Sequence, residues 1–102
     1  MAEYTTVANK DDFASGDRIV VEVAGKYVAV FMVGGTFYAI EDICTHDDGP
    51  LAEGELNGTE IECPRHGARF DIKTGKVLSM PATQPVTTFP VRLEGDDVQI
   101  LI

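Results

Sequence analysis

All of the cysteine and all of the histidine in this chain sits in two short stretches. CTHDDGPL begins at Cys44 and holds His46, CPRHGARF begins at Cys63 and holds His66, and the chain has two cysteines and two histidines in all. The spacing is Cys44-x-His46, then sixteen residues, then Cys63-x-x-His66. A lone C-x-H or C-x-x-H carries little information. Four metal-binding side chains grouped in this way, with none left over, point to a metal centre. Four unrelated residues are the alternative, since free cysteine is usually a small buried hydrophobe, but such cysteines rarely come paired with histidine. Two metal readings stay open on spacing. Zinc takes two Cys and two His tetrahedrally, usually with both cysteines at one corner and both histidines at the other. Here each stretch supplies one of each. A [2Fe–2S] centre with two Cys on one iron and two His on the other needs each stretch to reach both irons, and a Cys and His one or two residues apart can do so.

The rest of the composition sets bounds. At 102 residues the expectation is one small domain, 1–102, with a single core. Apolar residues at 44% and charged residues at 25% are ordinary for a soluble globular protein. The longest apolar run, YVAVFMV, is strand-sized and far short of the ~20 residues a membrane helix needs. The start, MAEYTTVANKDDF, has neither a basic opening nor an apolar segment, so a cytoplasmic location is expected. A cytoplasmic setting in turn disfavours a disulfide between the two cysteines. A net charge of −9 argues against nucleic acid or an anionic membrane as partner and favours a partner with a basic face. Net charge also simply keeps a small protein soluble, and charge alone does not separate the two. The charge is unevenly spread. No Lys or Arg lies between Lys26 and Arg65, an interval that holds Glu41, Asp42, Asp47, Asp48, Glu53, Glu55, Glu60 and Glu62. Arg65, Arg69, Lys73 and Lys76 follow directly.

Strand signals dominate. RIVVEV (18–23) and KYVAVFMV (26–33) are rich in β-branched and aromatic residues and are separated by Ala24-Gly25. Gly34-Gly35 between two apolar runs reads as a two-residue hairpin turn. TEIEC (59–63) alternates as a half-buried strand should, and ARFDIKTGKVLS reads as a hairpin turning at Lys73-Thr74-Gly75. The tail VTTFPVRLEGDDVQILI holds two more strands turning at Glu94–Asp97, with Pro90 marking an edge or a bulge. KDDFASG (10–16) is the one candidate helical turn. Many short strands with glycine-bearing turns predict an all-β fold, a small sandwich of antiparallel sheets, with the two Cys/His stretches in loops.

CTHDDGPLAEGEL (44–56), IECPRHGARFDIKTGKVLSMPA (61–82) and VTTFPVRLEGDDV (86–98) together resemble the Rieske-type [2Fe–2S] ferredoxins, the ferredoxin components of ring-hydroxylating dioxygenase systems. The resemblance runs from about Tyr4 to the end. It implies a small Rieske-like sandwich with two cluster-binding loops and one [2Fe–2S] cluster. Cys44 and Cys63 would hold the inner iron, and His46 and His66 the outer one. Loop N–H groups near Gly49 and Gly67 would donate to the sulfurs, and Met80-Pro81-Ala82 would cover a third side. Relatives of high potential carry an extra joined cysteine pair, where this chain has Gly49 and Arg65, and a serine and a tyrosine, where it has Ala68 and Phe70. Fewer donors, with Asp47 and Asp48 flanking His46, imply a potential at the low end of the Rieske range, roughly −150 mV.

The resemblance also implies a role. The facial-triad iron of a terminal oxygenase needs two further histidines, and both are already used. The expectation is therefore an electron carrier and not an enzyme. It would pass single electrons from a flavoprotein NAD(P)H reductase to a terminal oxygenase, acting as a monomer. The other reading within the redox class is a small Rieske subunit of another enzyme, such as a nitrite-reductase-like assembly. A zinc-stabilised interaction module is the reading from outside that class.

Overall fold

Two tight turns build the middle of the molecule. The computed structural model describes residues 3–13, 16–45, 49–65, 67–80 and 82–102. Strands β2 (Arg18–Val23), β3 (Lys26–Val33) and β4 (Thr36–Glu41) follow one another as antiparallel neighbours. Their turns are Ala24-Gly25, at φ 52° and 79°, and Gly34-Gly35, at φ 58° and 82°. Positive φ at both central positions gives the turn whose twist matches that of the flanking strands. Glycine adopts it freely, whereas Ala24 carries a Cβ in the left-handed region.

The apolar run of β3 is explained by its place. Val28, Ala29, Val30 and Phe31 are all fully buried. Val28 and Val30 join Phe13, Val98 and Ile100 in one apolar cluster, while Ala29 and Phe31 join Cys44, Leu51, Phe70 and Ile72 in another. The sheet is covered on both faces, so its central strand cannot alternate apolar with polar.

One covering layer comes from the chain ends. Strands β1 (Tyr4–Asn9), β10 (Val91–Glu94) and β11 (Asp97–Leu101) form an antiparallel sheet in the order β1-β11-β10. A 3-10 turn over Lys10–Phe13 follows β1 and buries Phe13, whose ring meets Phe37 edge-on at 5.1 Å. Strand β9 (Thr88–Phe89) completes the middle sheet, in the order β2-β3-β4-β9. Pro90 stands between β9 and β10, where the chain leaves the edge of one sheet for the edge of another. A residue with no N–H to donate is suited to that crossing. The stretch that reads as one strand around a proline is thus two strands in two sheets. Strand β1 has no counterpart in the sequence reading.

The other covering layer is a unit set between β4 and β9. It contains β5 (Leu56–Asn57), β6 (Glu60–Glu62), β7 (Arg69–Asp71) and β8 (Val77–Ser79), antiparallel in the order β5-β6-β7-β8. The chain leaves the middle sheet at β4 and returns beside it at β9, with Ala39 paired to Phe89 and Ile40 to Thr88. Both cysteine stretches lie within this unit. Every strand pairing among the described residues is antiparallel, so the architecture is the expected all-β one.

Candidate metal centre

The two cysteine loops are closed in the same way. The Cys44 N–H donates to the Gly49 carbonyl at 2.6 Å, and the Cys63 N–H donates to the Ala68 carbonyl at 2.7 Å. In each loop the cysteine amide reaches the carbonyl five residues on. The first loop leaves β4 and the second joins β6 to β7, so each is gripped at its base by strand structure. His46 lies inside the first closed span and His66 inside the second. His46, His66, Asp47, Asp48 and Pro81 lie outside the described residues.

Both thiols are buried. Cys44 is 0% exposed and Cys63 is 1% exposed. They are free of any disulfide and belong to the same apolar cluster, with Phe31, Leu51, Ile61, Ala68 and Phe70. Two reduced cysteines brought into one cluster from separate loops, each loop also carrying a histidine, fit the donor set of a [2Fe–2S] centre with mixed ligation. Ala68 and Phe70 are fully buried and bring no hydroxyl. The Gly67 N–H donates to the Cys63 carbonyl at 3.0 Å. Gly67 sits at φ 77°, a left-handed conformation that glycine adopts freely.

A third segment is tied to the first loop. The Thr45 hydroxyl donates to the Gln84 carbonyl at 2.7 Å. Met80 on that segment is 78% exposed, whereas Ala82 is buried. Leu78, on the edge strand β8, is 43% exposed, so an apolar spot flanks the Met80-Pro81-Ala82 segment. The Arg69 guanidinium meets the Glu62 carboxylate at 3.0 Å beside the second loop.

Sequence reasoning missed the side chains that hold the unit in place. The Asp42 carboxylate oxygen Oδ1 accepts from the N–H groups of Leu51 and Ala52 at 2.8 and 2.7 Å. The Asp42 N–H donates to the Tyr27 carbonyl at 2.9 Å. Arg18 Nη1 donates to the carbonyls of Ala52 and Gly54 at 2.9 and 2.6 Å. The guanidinium lies 5.4 Å from the centre of the Phe31 ring. Asp17 orients it through Nε at 2.8 Å, and that hydrogen bond holds the Asp17 carboxyl below its ordinary value, against an opposing effect of burial. No local pattern marks Asp42 or Arg18, because their partners are distant in the chain. A shallow cleft of about 250 Å³, lined by Tyr38, Ile72, Lys73 and Phe89 among others, includes no residue of either cysteine loop.

The Rieske [2Fe-2S] domain family matches residues 3–90. The ferredoxin component of the naphthalene 1,2-dioxygenase system of Pseudomonas putida is 45% identical over 89 residues, 87% of this chain and 86% of the relative. The 3-phenylpropionate/cinnamic acid dioxygenase ferredoxin subunit of Escherichia coli K12 is 44% identical over 90 residues, 87% of this chain and 84% of that one. Among solved structures, a chain in the complex of reduced oxygenase and oxidized ferredoxin in carbazole 1,9a-dioxygenase superposes with a TM-score of 0.89. It is 38% identical, and the match covers 96% of this chain and 92% of that chain.

Proposed function

The chain belongs to the Rieske [2Fe-2S] family, and from that premise we propose that it is a one-electron carrier between a flavoprotein NAD(P)H reductase and the terminal oxygenase of a ring-hydroxylating system. The carrier role is that of its relatives, which are ferredoxin components and not the catalytic part of their systems. An oxygenase as acceptor is supported by the structural neighbour, a complex of oxygenase and ferredoxin. The reductase as donor follows from the need for a one-electron source. Family membership also decides between the two metal readings, in favour of one [2Fe–2S] cluster.

The ligands we assign are Cys44 and Cys63 for the inner iron and His46 and His66 for the outer one. The observation that carries this is the pair of buried, unbridged cysteines in one apolar cluster, each at the root of a loop closed by its own amide. When bound, the cluster supplies a site that accepts and releases a single electron. The chain's own residues set its surroundings. The cysteine thiolates face an apolar interior of Phe31, Leu51 and Phe70, which excludes water. Each imidazole ligand would keep its second ring nitrogen for a partner. The docking contact we assign involves His46, His66 and Pro81, with the exposed Met80 and Leu78 as its apolar part.

Residues 1–102 act as a single Rieske domain, a reading supported by the family match over 3–90 and by the two covering layers that share the middle sheet. No helix among the described residues is long and apolar enough to cross a membrane. The acidic balance suits brief, salt-sensitive docking of a cytoplasmic monomer to a basic patch. The test is direct. The purified holoprotein should carry iron and acid-labile sulfide in equal amounts, accept an electron from a ring-hydroxylating-system reductase, and reoxidise when a matching oxygenase is added. Failure to exchange electrons with either partner would overturn the carrier role.

A further inference from the structure

Between the two cysteine loops runs a short bridge, residues 51–55, held by side chains that belong to neither loop. Its N–H groups face one holder, with Leu51 and Ala52 both donating to Asp42 Oδ1 at 2.8 and 2.7 Å. Its carbonyls face another, with Ala52 and Gly54 both accepting from Arg18 Nη1 at 2.9 and 2.6 Å. Leu51 is fully buried in the cluster that contains both cysteines. At its far end the bridge reaches the second cysteine. The Glu62 N–H donates to the Glu55 carbonyl at 2.9 Å, and Gly54 lies so close to β6 that an added Cβ would stand 1.7 Å from the Glu62 carbonyl oxygen. Glu62 is the residue directly before Cys63. Near its start, the bridge is tied by Asp42 two residues before Cys44.

We propose that Asp42 and Arg18 are positioning residues for the cluster, which together fix the bridge and through it the relative placement of Cys44 and Cys63. This rests on the ligand assignment above. Both holders are anchored in the middle sheet and not in the cysteine unit. Asp42 is pinned by its N–H to the Tyr27 carbonyl at 2.9 Å. Arg18 belongs to β2 and is oriented by Asp17 and by the Phe31 ring. A carboxylate accepting two amide donors, and a guanidinium donating to two carbonyls, are charge-assisted contacts of defined direction. The arrangement turns the middle sheet into a jig. The loops supply the metal-binding atoms, and the sheet sets the distance between them. Residues that orient metal ligands from outside commonly change metal retention by roughly ten- to a hundredfold when removed.

The experiment compares holoprotein variants. Asp42→Asn keeps an acceptor oxygen without the charge, and Asp42→Ala removes both. Arg18→Lys keeps a charged donor without the two-pronged geometry, and Arg18→Gln removes the guanidinium. Three quantities are read: iron and sulfide per chain, the rate of iron loss to a chelator, and the electron paramagnetic resonance spectrum of the reduced protein. Asp42→Ala and Arg18→Gln are expected to lose iron roughly tenfold faster, with shifted or broadened g values, while Asp42→Asn stays close to the parent. Parental iron loss and spectrum in a folded Asp42→Ala variant would overturn the positioning role. So would parental iron retention and spectrum in Arg18→Gln, which decides the matter even if Asp42→Ala does not fold. A parent protein with no [2Fe–2S] spectrum would instead sink the ligand assignment, so the two failures are told apart.

Discussion

Gly54 lies against the backbone of Glu62 so closely that a methyl group on the glycine would stand 1.7 Å from the Glu62 carbonyl oxygen. The neighbour is backbone in a strand and cannot swing aside. Gly54→Ala should therefore push β6 away from the bridge and move Cys63 with it. We expect a loss of about 2–4 kcal/mol of stability together with poor cluster retention. Denaturant unfolding beside iron analysis checks both. A parental midpoint of unfolding in the alanine variant would show that the two segments separate freely.

Cys44→Ser should leave the apolar cluster around Phe31 and Phe70 intact in composition but remove one thiolate. The visible absorption of the cluster should vanish, and because metal binding and folding are coupled, thermal stability should fall as well. Full visible absorption in the serine variant would remove Cys44 from the ligand set.

Ala68 is fully buried and its carbonyl receives the Cys63 amide at 2.7 Å, so its side chain sits at the root of the second loop. With neither a hydroxyl here nor one at Phe70, the midpoint should lie low, roughly −150 mV. Ala68→Ser returns one donor. A neutral hydrogen bond worth ~1 kcal/mol more to the reduced state raises a one-electron midpoint by about 40 mV. Potentiometric titration of the two proteins side by side measures the shift, and a fall in midpoint would contradict the assignment.

Met80 and Leu78 form an apolar spot on a strongly acidic protein. Met80→Ala should slow electron delivery to the oxygenase by about fivefold at unchanged midpoint, since the side chain is exposed and contributes to docking only. Raising the ionic strength should slow delivery by both proteins alike. Stopped-flow reoxidation at several salt concentrations separates the two effects.

The depressed carboxyl of Asp17 gives a sign for acid stability. Its folded value lies below the ordinary 3.8 because Arg18 hydrogen-bonds the ionised form. Its contribution is thus fully present above that ordinary value and is lost as pH falls through the folded one. Asp17→Asn should narrow its stability gap to the parent as pH drops from about 5 to about 2. Denaturant midpoints across that range check it, and a gap that widens toward acid would reverse the sign.

What could be read from the sequence follows how far apart the cooperating residues lie. The hairpin at Gly34-Gly35 is legible because two adjacent residues decide it. The cysteine loops are legible because ligand and spacing sit within a few residues. Pro90 is half legible. It marks an interruption, but only the pairing of Ala39 with Phe89 and of Leu93 with Val98 shows that the strands on either side join different sheets. Strand β1 is opaque, because its partner β11 lies at the other end of the chain, with Tyr4 opposite Leu101. Arg18 is opaque for the same reason, as its acceptors lie 34 and 36 residues away. Nothing in RIVVEV announces that its first residue will reach across to a loop.

The return of the chain to β9 beside β4 has a bearing on how such a carrier can vary. Everything we propose to meet a redox partner is spliced into a single gap between adjoining strands, while the pedestal beneath is closed by segments from the two chain ends. Rim residues such as Leu78 and Met80 can therefore be exchanged, or the outer sheet lengthened, to suit a new acceptor without re-threading the pedestal. The tolerance stops at Asp42 and Arg18, where pedestal and insert are stitched together.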